Sequence, residues 1–268
     1  MNASGAMNFW HVDAHVHLHP SQLSAARIAA LASAGLPVDD QERAATAAQV
    51  WCLADMPGVE TLETLAAPSF QQELRSMSDV RTEQRSGQLE ISAASWRVAL
   101  IDGEQVVSAE GLELLTVGGK LRPTRSEPIA TLIERSLTEG FVPILPWGVG
   151  KWFMARGRVI ADLLAKSQLA GSLALADSGT RPAGWPRPSL LELASDRGFA
   201  VLHGSDSLRV AGDQARTGRF GFRLPVSNDG DFVGDLKESV RSASPLTYFG
   251  SPISPWHFLR SQILLRLG

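Results

Sequence analysis

The sequence contains a single cysteine, Cys52, among 268 residues. One cysteine cannot form an internal disulfide, so a disulfide framework is excluded and a reducing compartment is favoured. No apolar run reaches the length that a membrane span needs, and the first residues lack the features of a signal peptide. The formal net charge is −3, and no basic tract resembles a nucleic-acid footprint. The sequence therefore predicts a cytoplasmic protein that binds neither nucleic acid nor a membrane.

The length and composition are those of an ordinary globular protein. Hydrophobic residues make up 44% of the chain and charged residues 20%. A chain of 268 residues can bury a full core, and we find no linker or internal repeat. We therefore expect one domain over residues 1–268.

Four of the six histidines fall in the short run from His11 to His19, and each occupies an odd position. Small apolar residues fill the even positions. In a β-strand this alternation places Asp13, His15 and His17 on one face and the apolar side chains on the other. Neutral imidazoles two residues apart can bind one divalent cation or share two. Ordinary strand histidines satisfied by hydrogen bonds are the alternative interpretation.

The second half of the chain alternates between short apolar strands and helices. Predicted strands cover Phe141–Leu145, Ser172–Ala176 and Phe199–Leu202, with helices over Ile129–Thr138 and Ser189–Arg197. Such alternation is typical of parallel strands in an α/β fold. With seven or eight strand candidates in all, we expect a single distorted TIM-like (β/α)7-8 barrel, with functional residues at the carboxyl ends of its strands.

Three stretches at predicted strand ends resemble the PHP (polymerase and histidinol phosphatase) family. They are Asp13–His17, then Gly103–Gln105 with Glu113–Gly118, and last Gly204–Leu208. The resemblance implies a distorted barrel of the PHP type and a phosphoesterase that uses a cluster of divalent metal ions.

The sequence departs from the family pattern at several of these positions. Either Gln105 stands where a bridging glutamate is usual, or Glu104 takes that role by a shift of one residue. Glu113 stands in the place of a histidine, and Leu208 replaces another. The resemblance then implies one or two ions of Mn, Zn or Fe. The predicted metal ligands are His15, His17, Glu113 and Asp206, and the predicted catalytic residues are Asp206 and His203.

Two further stretches suit an anionic substrate. Residues 147–158 are rich in glycine, precede a helix and carry Trp147, Lys151 and Arg156. A group of arginines that includes Arg216 and Arg219 follows Asp206, and arginines recognise phosphate in a bidentate manner. Alternatively, residues 147–158 form a loop whose charges are solvated, and the arginines form salt bridges with nearby aspartates.

Three functions follow from these observations. The leading hypothesis is a PHP-like metal-dependent hydrolase, a phosphoesterase on a small anionic molecule, with a metal-activated water as nucleophile. A hydrolase of C–N bonds would use the same activation of water. A non-catalytic binding protein derived from the PHP family would retain the barrel and a degenerate metal site.

Overall fold

The computed structural model describes residues 9–19, 23–34, 48–77, 79–207, 213–226 and 231–267. Residues 265–267 are described through their backbone alone. In this part of the chain the strands are β1 (Phe9–Val16), β2 (Ala48–Leu53), β3 (Arg81–Arg85), β4 (Gln88–Ala93), β5 (Trp96–Ile101), β6 (Gly103–Val107), β7 (Glu113–Val117), β8 (Val142–Pro146), β9 (Ala174–Ser178), β10 (Val201–Gly204), β11 (Gly221–Pro225) and β12 (Thr247–Phe249). The helices are α1 (Ala25–Ala34), α2 (Thr61–Ala66), α3 (Pro68–Ser76), α4 (Ile129–Thr138), α5 (Ala155–Leu164), α6 (Ser189–Asp196), α7 (Phe232–Ser242) and α8 (Pro255–Leu267). None of these helices has both the length and the apolar character needed to cross a bilayer.

The strands form two mixed sheets. The first has seven strands in the order β12-β11-β1-β2-β5-β4-β3, and the second has five in the order β10-β9-β8-β7-β6. In the first sheet β1, β2 and β5 are parallel, whereas β11 is antiparallel to β1 and the hairpin of β3 and β4 is added to β5. In the second sheet β8, β9 and β10 are parallel, and β7 is antiparallel to both of its neighbours.

The prediction of a single closed TIM-like barrel is wrong. Such a barrel requires strands that all run parallel in one continuous ladder. Here β7 and β11 are antiparallel to their neighbours, and the described strands divide into separate sheets of seven and five. Helices alternate with parallel strands from β1 to β2 and again from β8 to β10, but the strands from β3 to β7 form antiparallel hairpins, so extending the alternation to the whole chain caused the error.

The edge strand β10 of the smaller sheet packs against β1, an interior strand of the larger sheet. The amide of Asp206 donates to the carbonyl of His15 at 2.9 Å. Gly204 allows this approach, because a Cβ at residue 204 would lie 2.5 Å from the Cβ of His15. The carboxyl end of β10 is therefore held directly against the end of β1.

A second junction joins β2 to β6. Residues Asp55 and Glu104 form an isolated parallel bridge there. A Cβ at Gly103 would lie 2.2 Å from the Thr116 carbonyl oxygen and 2.5 Å from that of Leu53, so three chain segments meet around this glycine. Because Gly103 begins β6, the strand turns away from β5 and pairs with β7 instead.

Apolar side chains of both sheets form one buried cluster beneath these junctions. Val12 and Ala14 of β1 pack there with Cys52 of β2, Ile144 of β8 and Leu202 of β10. Val12 and Ala14 thus share this cluster, as the alternation in the sequence predicts. This leaves the odd positions Asp13 and His15 on the other face of the strand. Val16 follows a register shift in β1 and packs in a separate cluster instead, so the alternation does not continue to the end of the strand.

Candidate metal centre

The end of β1 and the residue that follows Ser205 bring three ligand side chains together. Atoms of His15, His17 and Asp206 all lie within 4.8 Å of one another. The Nε2 atoms of the two histidines are 2.9 Å apart. Oδ1 of Asp206 is 3.6 Å from Nε2 of His15 and 3.7 Å from Nε2 of His17.

This arrangement fits a divalent metal ion. Ligand nitrogens and oxygens about 2.1 Å from a tetrahedral ion lie about 3.4 Å from each other. The three separations of 2.9, 3.6 and 3.7 Å bracket that value. The group could therefore hold one ion with little movement of the side chains.

The imidazole of His15 is suited to ligation because it stays unprotonated. Burial lowers its pKa to about 3, and the neighbouring His17 and Lys151 act in the same direction. Its side chain is only 2% exposed. The ring is therefore neutral at physiological pH and offers a nitrogen lone pair.

Asp206 is held by hydrogen bonds from a neighbouring strand. The Ser178 hydroxyl at the end of β9 donates to Oδ2 of Asp206 at 3.0 Å and lies 2.6 Å from the hydroxyl of Thr180. Burial opposes ionisation, but the positive charge of Lys151 and the hydrogen bond from Ser178 favour the carboxylate, and the pKa of Asp206 lies below its ordinary value. The carboxylate is therefore ionised, and Oδ1 faces the histidines.

Asp13 has a structural role beside the three ligands. Its Oδ1 accepts from the amides of Ser205 at 2.8 Å and His15 at 3.2 Å, and its Oδ2 accepts from the amide of Gly218 at 2.9 Å. Burial still raises the pKa of Asp13 to about 6. The carboxylate therefore links β1 to the backbone at Ser205 and at Gly218.

The structure distinguishes between Glu104 and Gln105. The amide oxygen of Gln105 lies 3.1 Å from Nε2 of His15. The carboxylate of Glu104 lies on the opposite face of β6 and accepts from the amide of Arg122 at 2.7 Å. The side chain next to the metal candidates is therefore the neutral Gln105.

Glu113 is held by a lysine. Its Oε2 lies 2.6 Å from Nζ of Lys151. Burial opposes the charge of Lys151, but Asp206 and Glu113 outweigh it and raise the pKa of the lysine. The structure therefore places a cation between the predicted ligand Glu113 and Asp206, and the group of three ligands among the described residues does not include Glu113.

His203 lies outside the group of three ligands. Its ring stacks on Tyr248 with centroids 3.9 Å apart and on Phe220 with centroids 4.6 Å apart. Because neighbouring side chains alternate along a strand, His203 projects away from the face on which Gly204 meets His15. Burial lowers its pKa to about 4. In this position it packs between two aromatic rings.

The predicted substrate-binding residues are placed in different surroundings. Arg216 donates to the Gly179 carbonyl at 2.6 Å, and Arg156 donates to the Gly150 carbonyl at 2.9 Å. Arg219 is exposed, and Trp147 packs on the core beneath α4 and α5. Two of these residues carry a charge that acts on the candidate ligands: Lys151 acts on Asp206 and His15, and Arg216 acts on Asp206. Leu208 lies outside the described residues.

A small polar cavity adjoins the site. It has a volume of about 20 Å³, and its lining includes His17, His19, Asp55, Ser207 and Gln214. That volume is enough for about one water molecule with several polar partners. The cavity could thus hold a water beside the ligand His17.

A second charged cluster was not predicted from the sequence. The ammonium group of Lys120 is only 4% exposed and lies within ion-pair distance of four carboxylates. The distances are 2.9 Å to Asp55, 2.8 Å to Glu60, 3.6 Å to Glu63 and 3.5 Å to Asp102. These residues come from distant parts of the sequence, so no local motif reveals them.

Comparisons with known proteins define the fold but not the activity. No family model and no curated protein sequence matches the chain. Among solved structures the chain is similar to PsfC from Pseudomonas syringae PB-5123, with a TM-score of 0.58 and 18% sequence identity. The similarity covers 97% of this chain and 99% of PsfC. At this identity the likeness shows the fold alone.

Proposed function

We propose that this protein is a PHP-like metal-dependent hydrolase that acts on a small anionic substrate, with a phosphoester as the leading candidate. The observation that carries the proposal is the convergence of His15, His17 and Asp206 at the meeting of the two sheets. Two imidazole nitrogens and one carboxylate are donors suited to Mn, Zn or Fe.

The surrounding residues would divide the work of hydrolysis. A bound divalent ion supplies Lewis acidity and lowers the pKa of water. Asp206 acts as a ligand or accepts a proton, since its carboxylate is ionised and held by Ser178. Lys151 offers a positive charge to the substrate anion. The cavity beside His17 provides space for a water molecule.

A non-catalytic binding protein is the second candidate function. Gln105, rather than a carboxylate, lies against His15, and Glu113 is already paired with Lys151. Both features reduce the negative charge available to metal ions. In this case the site would hold a metal or an anion without turning it over.

Metal content tests the proposal directly. We would measure Mn, Zn and Fe by mass spectrometry in chelator-treated and reconstituted protein, comparing the wild type with His15→Ala/His17→Ala. We expect about one ion per chain in the wild type and none in the double variant, because three protein ligands suffice for a catalytic ion. His19→Ala is the matched control, since His19 belongs to the same run but not to the group of three.

Hydrolysis of p-nitrophenyl phosphate by the reconstituted protein then separates the two candidate functions. Turnover that disappears in the double variant supports a phosphoesterase. Stoichiometric metal without turnover of phosphoesters favours the binding protein. A wild type that takes up none of the three metals would falsify the metal-dependent hydrolase and leave the non-catalytic binding protein.

A further inference from the structure

The turn that follows β9 determines where the serine beside Asp206 directs its hydrogen. The Ser178 hydroxyl donates its one hydrogen to Oδ2 of Asp206 at 3.0 Å, because an ionised carboxylate can only accept. The Ser178 oxygen in turn accepts from the Thr180 amide at 3.1 Å and lies 2.6 Å from the Thr180 hydroxyl. These two donors occupy both lone pairs of the serine oxygen. The direction of the Ser178 hydrogen therefore depends on the position of Thr180.

An arginine holds the other side of the same peptide group. The Gly179 carbonyl and the Thr180 amide belong to one planar trans peptide and point to opposite sides of it. Arg216 donates from Nη2 to this carbonyl at 2.6 Å, and the Ile253 amide donates to it at 3.0 Å. Fixing the carbonyl therefore fixes the direction in which the Thr180 amide points toward Ser178. A cationic donor also polarises the peptide, which makes its amide a stronger donor.

The guanidinium group of Arg216 is itself confined. Its side chain is 15% exposed, and Nη1 lies 4.0 Å from Oδ1 of the buried Asp213. The same aspartate oxygen lies 3.0 Å from Nε2 of His257 in α8. Gly179 leaves room for the guanidinium, because a Cβ at that residue would lie 2.8 Å from Nη2 of Arg216. The structure thus pairs the charge of Arg216 with Asp213 and directs Nη2 at the Gly179 carbonyl.

We propose that Arg216 is a positioning residue for the candidate ligand Asp206 and acts through the peptide between Gly179 and Thr180 and through the Ser178 hydroxyl. The inference rests on the proposed function, which gives Asp206 its role as a metal ligand. Ser178 keeps Oδ2 of Asp206 occupied, so that Oδ1, which faces the two histidines, stays available to the ion. Arg216, which the sequence analysis assigned to an anionic substrate, thus serves metal binding.

Metal affinity tests whether Arg216 acts through Ser178. We would measure Zn²⁺ dissociation constants by competition with a chelator of known affinity, for the wild type, Arg216→Met, Ser178→Ala and the double variant. Arg216→Met should weaken Zn²⁺ binding by roughly tenfold, at the lower end of the effect of losing a partner behind a ligand. The double variant should bind no more weakly than Ser178→Ala, because the arginine has lost the group through which it acts. Arg216→Lys retains one cationic donor and should recover part of the loss.

Arg135 of α4 provides the matched control. Like Arg216 it joins a backbone carbonyl to a carboxylate, since it donates to the Leu121 carbonyl at 3.0 Å and to Glu127 at 2.6 Å. None of these groups belongs to the three candidate ligands. Arg135→Met should therefore leave the Zn²⁺ dissociation constant unchanged within about twofold, the spread expected for independent sites.

Amide hydrogen exchange in the metal-free protein tests the positioning without any ion. The Thr180 amide should exchange at least about tenfold faster in Arg216→Met than in the wild type, because its peptide loses a hydrogen bond from a charged group. The Gly118 amide, which donates to the Asp102 carbonyl at 2.8 Å in another loop, should keep its rate. Nuclear magnetic resonance measures both rates in one sample, so a general loss of stability is distinguished from a local one.

The outcomes separate the role of Arg216 from the proposed function. Losses of Zn²⁺ affinity that add in the double variant overturn the role, as does a Thr180 amide that exchanges no faster than in the wild type or accelerates only together with Gly118. Faster exchange at Thr180 alone supports the role even if the wild type takes up no metal, in which case only the proposed function is lost. If Arg216→Met fails to fold, Arg216→Lys serves for both tests.

Discussion

Two buried clusters of ionisable side chains in this protein satisfy their charges in opposite ways. Around Lys120 four carboxylates converge on a cation that the chain itself supplies. Around His15 the converging atoms are two imidazole nitrogens and one carboxylate oxygen, and Lys151, whose charge acts on them, is paired with Glu113.

The comparison shows why acidic residues alone are a poor guide to a metal site. The Lys120 cluster holds more carboxylates than the histidine cluster, yet an ammonium group already occupies the point at which they converge. Neutral imidazoles cannot neutralise a carboxylate, but they can donate lone pairs to a metal. The presence of lone-pair donors, rather than the number of acids, therefore distinguishes the two clusters.

The largest effect should come from removing the internal cation. We expect Lys120→Met to lower the free energy of unfolding by about 3–5 kcal/mol, because the Asp55 carboxylate, only 2% exposed, would lose its partner. Arg122→Met is the control, since Arg122 contacts the same Glu60 but its side chain is 62% exposed; it should cost less than about 1 kcal/mol. Urea denaturation measures both, and equal losses would contradict the distinction between a buried and a surface cation.

A smaller effect is expected from a buried histidine outside both clusters. The pKa of His203 is lowered to about 4 from an ordinary 6.5, so the unfolded chain binds more protons between these values. The free energy of unfolding is therefore unaffected by this histidine above pH 6.5, and the histidine lowers it by about 2–3 kcal/mol as the pH falls toward 4. Asp13, whose pKa burial raises to about 6, acts in the opposite sense.

The difference in the free energy of unfolding between the wild type and His203→Phe isolates the contribution of this histidine. Phenylalanine retains an aromatic ring between Phe220 and Tyr248 but does not titrate. We expect the variant to gain stability relative to the wild type as the pH falls, measured by urea unfolding at pH 4, 5, 6 and 7. Parallel curves for the two proteins would show that His203 is not responsible.

A third prediction concerns the hydrogen bond that holds Asp206. Ser178→Ala removes the donor at 3.0 Å from Oδ2 and should weaken metal binding about 10- to 100-fold, as loss of a partner behind a ligand does. Ser136→Ala is the control, because its buried hydroxyl donates only within α4. Competition with a chelator of known affinity gives the dissociation constants. Equal affinities in the two variants would rule out a positioning role for Ser178.

The smallest effect should come from increasing the negative charge of the histidine cluster. Gln105→Glu places a carboxylate beside His15 and should tighten metal binding by roughly tenfold, because added ligand charge raises affinity for divalent ions. Glu104→Gln, on the opposite face of β6, should leave the affinity unchanged. If the second substitution weakens binding more than the first strengthens it, the assignment of faces is wrong.

The local parts of the site could be predicted from the sequence. Alternation around His15 gives the strand and its two faces, and the structure places Val12 and Ala14 in the core. The sequence analysis grouped His15, His17 and Asp206 because residues at predicted strand ends resemble the PHP pattern, and the structure places the three side chains together. That proximity does not depend on a closed barrel, because Gly204 brings β10 to β1 directly.

Strand boundaries and pairing were harder to predict. The structure starts β8, β9 and β10 later than the sequence analysis does, at Val142, Ala174 and Val201. Each strand follows a glycine with positive φ that ends a helical segment, at 140, 171 and 198, and the chain needs further residues before pairing begins. Antiparallel β7 and the partners of Lys120 depend on contacts between distant segments, which periodicity does not encode.

The candidate ligands are contributed by different sheets, since His15 belongs to β1 of the larger sheet and Asp206 follows β10 of the smaller one. An ion bound between them would act as a cross-link, and its binding would be thermodynamically linked to cooperative unfolding. At a free ion concentration one hundred times the dissociation constant, this linkage adds about 2.7 kcal/mol to the native state. The supply of metal ions would then set the thermodynamic stability of the folded protein as well as its activity.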